Sequence, residues 1–259
     1  MKKYRGIFLK NEKEIAIMHE ANKIVSNILD IFEKEVRPGV ETMLFEEIAQ
    51  DECLSNGVKP AFQGYCGYPY AICCSVNEQV VHGFPSNRTL LEGDIVSFDM
   101  GVVLNGFFAD SARTFTVGEV KPEVEKLVAV TKEALWKGIK KAVVGNSLSD
   151  ISQAVQEHSE QNGYAVIRRF VGHGIGVALH EKPEIPNFVS RGMVDVPLQS
   201  GMVLAIEPML AMGTHEVEIL SDKWTAVTKD GKYSAHFEHS VAVTPNGPLV
   251  LSHWAKNQL

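Results

Sequence analysis

Asp99, Asp110, His173, Glu207 and Glu238 are the side chains of this chain whose types and surroundings could do chemistry. The acids sit in apolar or β-prone stretches, as in Ile95-Val96-Ser97-Phe98-Asp99 and Val203-Leu204-Ala205-Ile206-Glu207. A carboxylate at the end of a buried strand is costly unless a cation or hydrogen bonds compensate it. Four carboxylates and one imidazole make a ligand set suited to two adjacent divalent ions, which would supply that compensation. Taken singly, each acid reads as a capped or solvated residue. Geometry and repetition set the group apart.

The geometry comes from a hairpin. Asn105-Gly106 lies between the apolar runs Ile95–Leu104 and Phe107–Val117, and Asn-Gly in that setting predicts a two-residue turn. Leu104 then faces Phe107, and Gly101 faces Asp110. Asp99 shares a face with Asp110 and sits diagonally across from it, about 7–8 Å away at the backbone. That is near enough for two carboxylates to converge on one metal, and Gly101 leaves the space between them open.

Repetition adds a second line of argument. Gly93-Asp-Ile-Val-Ser-Phe-Asp99 has a counterpart in Gly201-Met-Val-Leu-Ala-Ile-Glu207, 108 residues on. Arg37-Pro-Gly39 through Asn56-Gly57 matches Val144-Gly145 through Asn162-Gly163, His82-Gly-Phe-Pro85 matches His180-Glu-Lys-Pro183, and Asp110–Thr116 matches Glu238–Thr244. An acid answers an acid and a histidine answers a histidine. A duplicated helix–helix–strand unit with pseudo-twofold symmetry would bring both sets to one central site.

The elements that must position these residues alternate along the chain. Apolar spacing predicts helices over 11–35, with Asn11 as N-cap, and over 42–56, 122–143 and 147–162, with Pro122 in a first turn. Strands are predicted near 70–82, 94–104, 107–117, 165–173, 202–210, 224–229 and 233–244, with a second tight turn at Asp230-Gly231. Strands mixed with paired helices point to an α+β architecture, an antiparallel sheet with helices on one face.

At 259 residues and 45% hydrophobic, the chain can bury a substantial core, and no linker or low-complexity tract divides it, so residues 1–259 read as one domain. A net charge of −7 without a basic run gives no nucleic-acid footprint. The apolar stretch Ile7-Phe8-Leu9 is too short for a signal peptide, and no run reaches the roughly 20 residues that span a membrane. The expectation is a cytoplasmic protein with no membrane contact. Cys53, Cys66, Cys73 and Cys74 match no common zinc module and read as reduced, small hydrophobes, with Cys66 and Cys73 beside a pocket.

Together the five ligand-type residues, Gly172-His-Gly-Ile-Gly176 and Ile206-Glu-Pro-Met209 resemble the bacterial-type (type I) methionine aminopeptidases over nearly the whole chain. The resemblance implies the pita-bread fold, a curved antiparallel sheet backed by two helix pairs around a dinuclear metal site. The 26 residues between His180 and Glu207 leave no room for the type II insertion, and no N-terminal zinc-finger extension is expected. It implies two divalent ions (cobalt, manganese, iron or zinc), with Asp99 chelating one, Asp110 and Glu238 bridging, and His173 and Glu207 completing the other. The implied reaction is removal of the initiator methionine from nascent proteins and peptides whose second residue is small. Water activated by both metals would attack the first peptide bond, with Glu207 shuttling the proton.

Under the same resemblance, His82 and His180 contact substrate and stabilise the developing oxyanion. Phe62, Tyr65, Cys66, Tyr68, Cys73, Leu179 and Trp224 form the methionine pocket, where a thioether packs well against aromatic rings. Partners would be nascent N-termini and, transiently, the ribosome, with the enzyme a monomer. His239, next to Glu238 on a strand, points away from the metals. His158, His215 and His253 read as structural or surface groups. Some positions depart from the usual pattern: Phe62 for Cys, Cys66 for His, Leu179 for Phe and His236 for Gln, which bears on pocket shape. Proline-specific peptidases share fold and ligands but usually carry an added N-terminal domain, and non-enzymatic relatives tend to lose ligands.

Overall fold

The helices form where their caps and apolar faces dictate. In the computed structural model, which describes residues 2–190, 192 and 195–253, α1 spans Glu12–Glu35. The Asn11 side chain accepts from the Lys13 and Glu14 amides at 2.9 and 3.1 Å, and Glu14 accepts from the Asn11 amide at 2.8 Å. That reciprocal box satisfies amides the helix itself leaves unpaired. Helix α2 covers Met43–Ser55, and α4, Leu148–Gln161, starts on a second capping box between Ser147 and Asp150. Helix α3, Pro122–Ile139, stops short of the expected residue 143. The Lys141 and Ala142 amides reach back only three residues, to Gly138 and Ile139, so the helix tightens into turns and ends.

One nine-stranded antiparallel sheet organises the molecule. Its order by residues is 181–185, 172–174, 203–206, 238–244, 107–116, 95–104, 59–60, with 72–76 also paired to 95–104 and 247–250 to 238–244. The hairpin has the predicted register, Leu104 opposite Phe107 and Gly101 opposite Asp110. Asn105 and Gly106 both take positive φ (50° and 79°), as the tight turn requires. Gly101 is needed for more than space: a Cβ there would lie 2.5 Å from the Ala109 carbonyl oxygen.

The sheet order also displays the duplication. The Ile95–Leu104 and Phe107–Thr116 strands are mirrored by Val203–Ile206 and Glu238–Thr244, and the two inner strands pair directly, Glu238 opposite Ala112. Each half carries its own core. Phe32, Phe45, Phe98 and Met100 lie in the one under α1 and α2. Leu135, Ile139, Ile151, Leu204 and Val241 lie in the one under α3 and α4. This is the curved sheet with two helix pairs of the pita-bread fold.

Several long strands expected from the apolar pattern are broken. The 202–210 stretch ends at Ile206, because Pro208 has no amide to donate, and Met209–Ala211 joins a separate three-stranded sheet with 165–166 and 234–236. Correspondingly 233–244 splits at Phe237. The 70–82 stretch divides at Asn77 (φ 58°), and 165–173 divides into 165–166 and 172–174. The 224–229 stretch contains the strand Ala226–Thr228, and Asp230-Gly231 turns as expected. A short N-terminal hairpin, Lys2–Tyr4 with Ile7–Leu9 about Arg5-Gly6, was not anticipated, since three-residue strands carry almost no periodic signal. No helix among the described residues is long and apolar enough to cross a membrane.

Candidate active site

The breaks in the strands are where the polar side chains collect. Asp99 and Asp110 project from the long hairpin, Glu238 opens its strand, and Glu207 occupies the kink made by Pro208. His173 sits on the short Gly172–Gly174 strand, held opposite Ala205 and Glu184. All five line one cavity of about 330 Å³, and so do Phe62, Tyr65, Cys66, Tyr68, Cys73, Leu179, Trp224, His82 and His180, whereas His236 does not. Cys66 lines the cavity as an exposed residue in a left-handed conformation at φ 50°. All four cysteines are free.

Two turns present the outer histidines. His82 adopts φ 61°, a left-handed value unusual for a side chain of its size. The turn is held by its neighbour: the Gly83 carbonyl accepts from the Cys74 amide at 2.8 Å and the Tyr68 hydroxyl at 3.0 Å. His180 lies at the mouth with Nδ1 2.7 Å from the Tyr65 hydroxyl, its ring 4.3 Å from that of His173. Its loop rests on a buried ion pair: Glu181 meets Lys10 Nζ at 2.5 Å and accepts from the Val177 and Ala178 amides. Opposite, Tyr68 packs edge-on against Trp224 and Phe84, forming an aromatic wall.

The electrostatics of this cluster call for a cation. Burial, reinforced by the neighbouring acids, pushes the carboxyls of Asp110, Glu207 and Glu238 well above the usual range; burial raises Asp99 to about 7. Burial holds His173 down to about 3, so its imidazole is neutral. His173 Nδ1 lies 3.0 Å from the Gly174 carbonyl, which can only accept, so the proton sits on Nδ1. The Nε2 lone pair therefore faces carboxylate oxygens of Glu207 at 3.5 Å and Asp110 at 3.8 Å. Lone pairs facing lone pairs repel unless a positive charge lies between them. One ligand atom from each of Asp110, His173 and Glu238 falls within 4.8 Å of the others. One buried oxygen each of Asp99, Asp110 and Glu238 has no hydrogen-bond partner among the described residues. The donor set fits a hard or borderline divalent ion.

Comparison with known proteins agrees with that chemistry. The model for "Metallopeptidase family M24" matches residues 16–245. The chain belongs to this family. This M24 peptidase is 51% identical over 246 residues to a methionine aminopeptidase of Clostridium perfringens, covering 95% of its own length and 98% of the relative's. The crystal structure of methionine aminopeptidase from Thermotoga maritima superposes with a TM-score of 0.92 at 45% identity, covering 95% and 99% of the two chains. An Xaa-Pro dipeptidase from Bacillus anthracis has a TM-score of 0.77 at 22% identity, covering 97% of this chain and 63% of that one, and so shares the fold. As a member, the M24 peptidase is a metal-dependent hydrolase.

Four further lining residues escaped the sequence reading: Val81, Arg169, Phe170 and Val171. Their signal was adjacency, since Val81 precedes His82 and Arg169–Val171 leads directly into Gly172-His173. Of the remaining histidines, His239 turns away from the cavity, as expected, bonding the Ser252 hydroxyl at 2.7 Å and packing against Trp136. His158 lies 2.9 Å from Glu133 on the surface.

Proposed function

We propose that this M24 peptidase removes methionine from the N-termini of peptides and nascent chains whose second residue is small. The observation that carries the reading is one cavity in which a cation-ready cluster of acids adjoins an apolar, aromatic wall. In this reading residues 1–259 act as one catalytic domain, and Asp99, Asp110, His173, Glu207 and Glu238 hold two divalent ions drawn from cobalt, manganese, iron and zinc. Bound there, such ions supply Lewis acidity, which makes water nucleophilic near neutral pH and favours a free α-amino group.

The remaining work falls to the chain's own residues. Phe62, Tyr65, Cys66, Tyr68, Cys73, Leu179 and Trp224 enclose the methionine side chain, whose thioether packs against the rings. Burial pushes the His82 imidazole down to about 4, and burial lowers His180 as well. Both are then neutral near pH 7, able to donate a hydrogen bond to substrate carbonyl oxygen without bringing a competing charge. Glu207, with its raised carboxyl, takes the proton from water and returns it to the departing amine. The enclosed first pocket, taking one side chain beside the acid cluster, would restrict cleavage to the N-terminal residue.

The test is a rate assay of metal-stripped protein reconstituted with Mn²⁺ on Met-Ala-Ser, Leu-Ala-Ser and Ala-Pro-Ala, with Asp99→Ala as control. Metal-dependent release of methionine alone, lost in the variant, is the expected result. Cleavage of Ala-Pro-Ala would move the protein to the proline-specific reading that its shared fold allows. No turnover by the Mn²⁺-loaded protein would overturn the proposal. Acting on nascent chains, the enzyme would work in the cytoplasm as a monomer that visits the ribosome transiently. Failure to co-sediment with ribosomes carrying nascent chains would remove that part.

A further inference from the structure

His236 has no part in the reaction as described, yet it is buried beside Glu207. Its Nε2 lies 3.8 Å from Glu207 Oε2, while His173 Nε2 lies 3.5 Å from Oε1 of the same carboxylate. Glu207 is thus flanked by two imidazoles, one per oxygen. His236 Nε2 is fully enclosed and has no hydrogen-bond partner among the described residues. A buried ring nitrogen without a partner is a deficit, and the acceptor nearest to hand is that carboxylate. A movement of less than about 1 Å would bring the two into hydrogen-bond range.

The backbone holds the ring for this purpose. The Thr114 hydroxyl donates to the His236 carbonyl at 2.7 Å and accepts from its amide at 2.9 Å. Thr114 belongs to the strand that carries Asp110, and its hydroxyl is fixed in turn by Ser97 at 2.7 Å. On the other side His236 pairs with Met209, two residues past Glu207. Phe237, between His236 and Glu238, turns into the core of the second half, while Glu238 lines the cavity and His236 lies buried behind it, beside Glu207.

We infer that His236 is a positioning residue for Glu207: its Nε2–H donates to Oε2 and fixes the carboxylate with Oε1 turned toward His173. The inference rests on the proposed role of Glu207. Partners of this kind orient a ligand, and their loss costs about 10–100-fold in metal affinity or activity. An amide N–H could serve in place of the imidazole N–H, so His236→Gln should keep the function where His236→Ala loses it.

The experiment measures Mn²⁺ affinity by calorimetry, kcat and KM on Met-Ala-Ser, and thermal unfolding for the parent, His236→Ala and His236→Gln. The expected result is about tenfold weaker Mn²⁺ binding and at least tenfold lower kcat in His236→Ala, with KM within about twofold. His236→Gln should recover most of both losses. In a Glu207→Ala background, His236→Ala should leave the residual Mn²⁺ affinity unchanged, which a merely structural effect would not do. Parent-like affinity and kcat in His236→Ala would overturn the inference, as would equal impairment of both His236 variants when both unfold at the parent's temperature. A parent that binds Mn²⁺ but releases no methionine would refute the proposed function, and the calorimetric comparison would then decide the His236 contact by itself.

Discussion

A neutral His173 facing two carboxylates shows how burial selects chemistry at a single residue. In water, imidazole and carboxylates would titrate apart; here burial keeps the ring uncharged and raises the acids. The sign of the consequence can be worked out. A carboxyl whose folded pKa exceeds its unfolded value, near 4, contributes stability that is complete below pH 4 and lost as pH rises through the folded value. Asp99, raised to about 7, places that window between about pH 4 and neutrality. Metal-free protein should therefore lose this contribution on going from pH 5 to pH 8, and the melting-temperature gain on adding Mn²⁺ should be larger at pH 8. A gain independent of pH would remove the argument. By the same logic Asp110→Asn, which removes one carboxyl from the crowded cluster, should stabilise the metal-free protein at pH 8. It should also abolish the Mn²⁺-induced gain, and chemical denaturation with and without Mn²⁺ reads both effects.

At the level of elements, the loop bearing Leu179 and His180 depends on the first strands of the chain. Lys10 follows the N-terminal hairpin, and its amide bonds the Gly201 carbonyl at 2.7 Å. Its ammonium lies almost wholly out of solvent beside Glu181, the residue after His180. Burial lowers the Lys10 pKa, opposed by the Glu181 hydrogen bond and charge. Removing one partner of such a pair leaves an uncompensated buried charge, typically costing about 3–5 kcal/mol. Lys10→Met should destabilise the fold by that order in urea denaturation. Lys10→Met with Glu181→Leu should recover part of the loss, because no charge is then left buried. A Lys10→Met variant as stable as the parent would show that the pair is dispensable and that the loop is held by other contacts.

Over the whole molecule, the site lies on the seam between two halves with separate cores. Asp99 and Asp110 come from one half, His173, Glu207 and Glu238 from the other, and the inner strands meet at Glu238 and Ala112. Under the proposed ligand set a bound ion would tie the halves together, adding stability by mass action of about 4 kcal/mol at a thousand times its Kd. For a chain of this size that corresponds to roughly 8–16 °C in melting temperature. Chelation should lower the melting point by that amount and speed hydrogen exchange first along the 107–116 and 238–244 strands. Uniform acceleration over all strands would argue against the seam as the place where the ion acts.

Much of this was legible without coordinates because it depends on local rules. Asn105-Gly106 sets a hairpin whatever surrounds it, and that turn sets the Gly101–Asp110 register. A capping residue such as Asn11 begins a helix by satisfying amides within its own first turn. The internal repeat was legible as well, and with it the pairing of acid-bearing strands that the sheet order displays. What only the tertiary structure decided are relations between residues that share no local signal. Pro208 breaks a strand in a way any proline would, but which sheet Met209–Ala211 then joins depends on distant partners. Arg169 and Phe170 lie at the cavity because the chain must bend to carry His173 inward. Lys10 and His236 each find a carboxylate far away in the chain, at Glu181 and Glu207. Such pairings depend on how two cores close around one site, a property of packing in three dimensions that periodicity along one dimension does not encode.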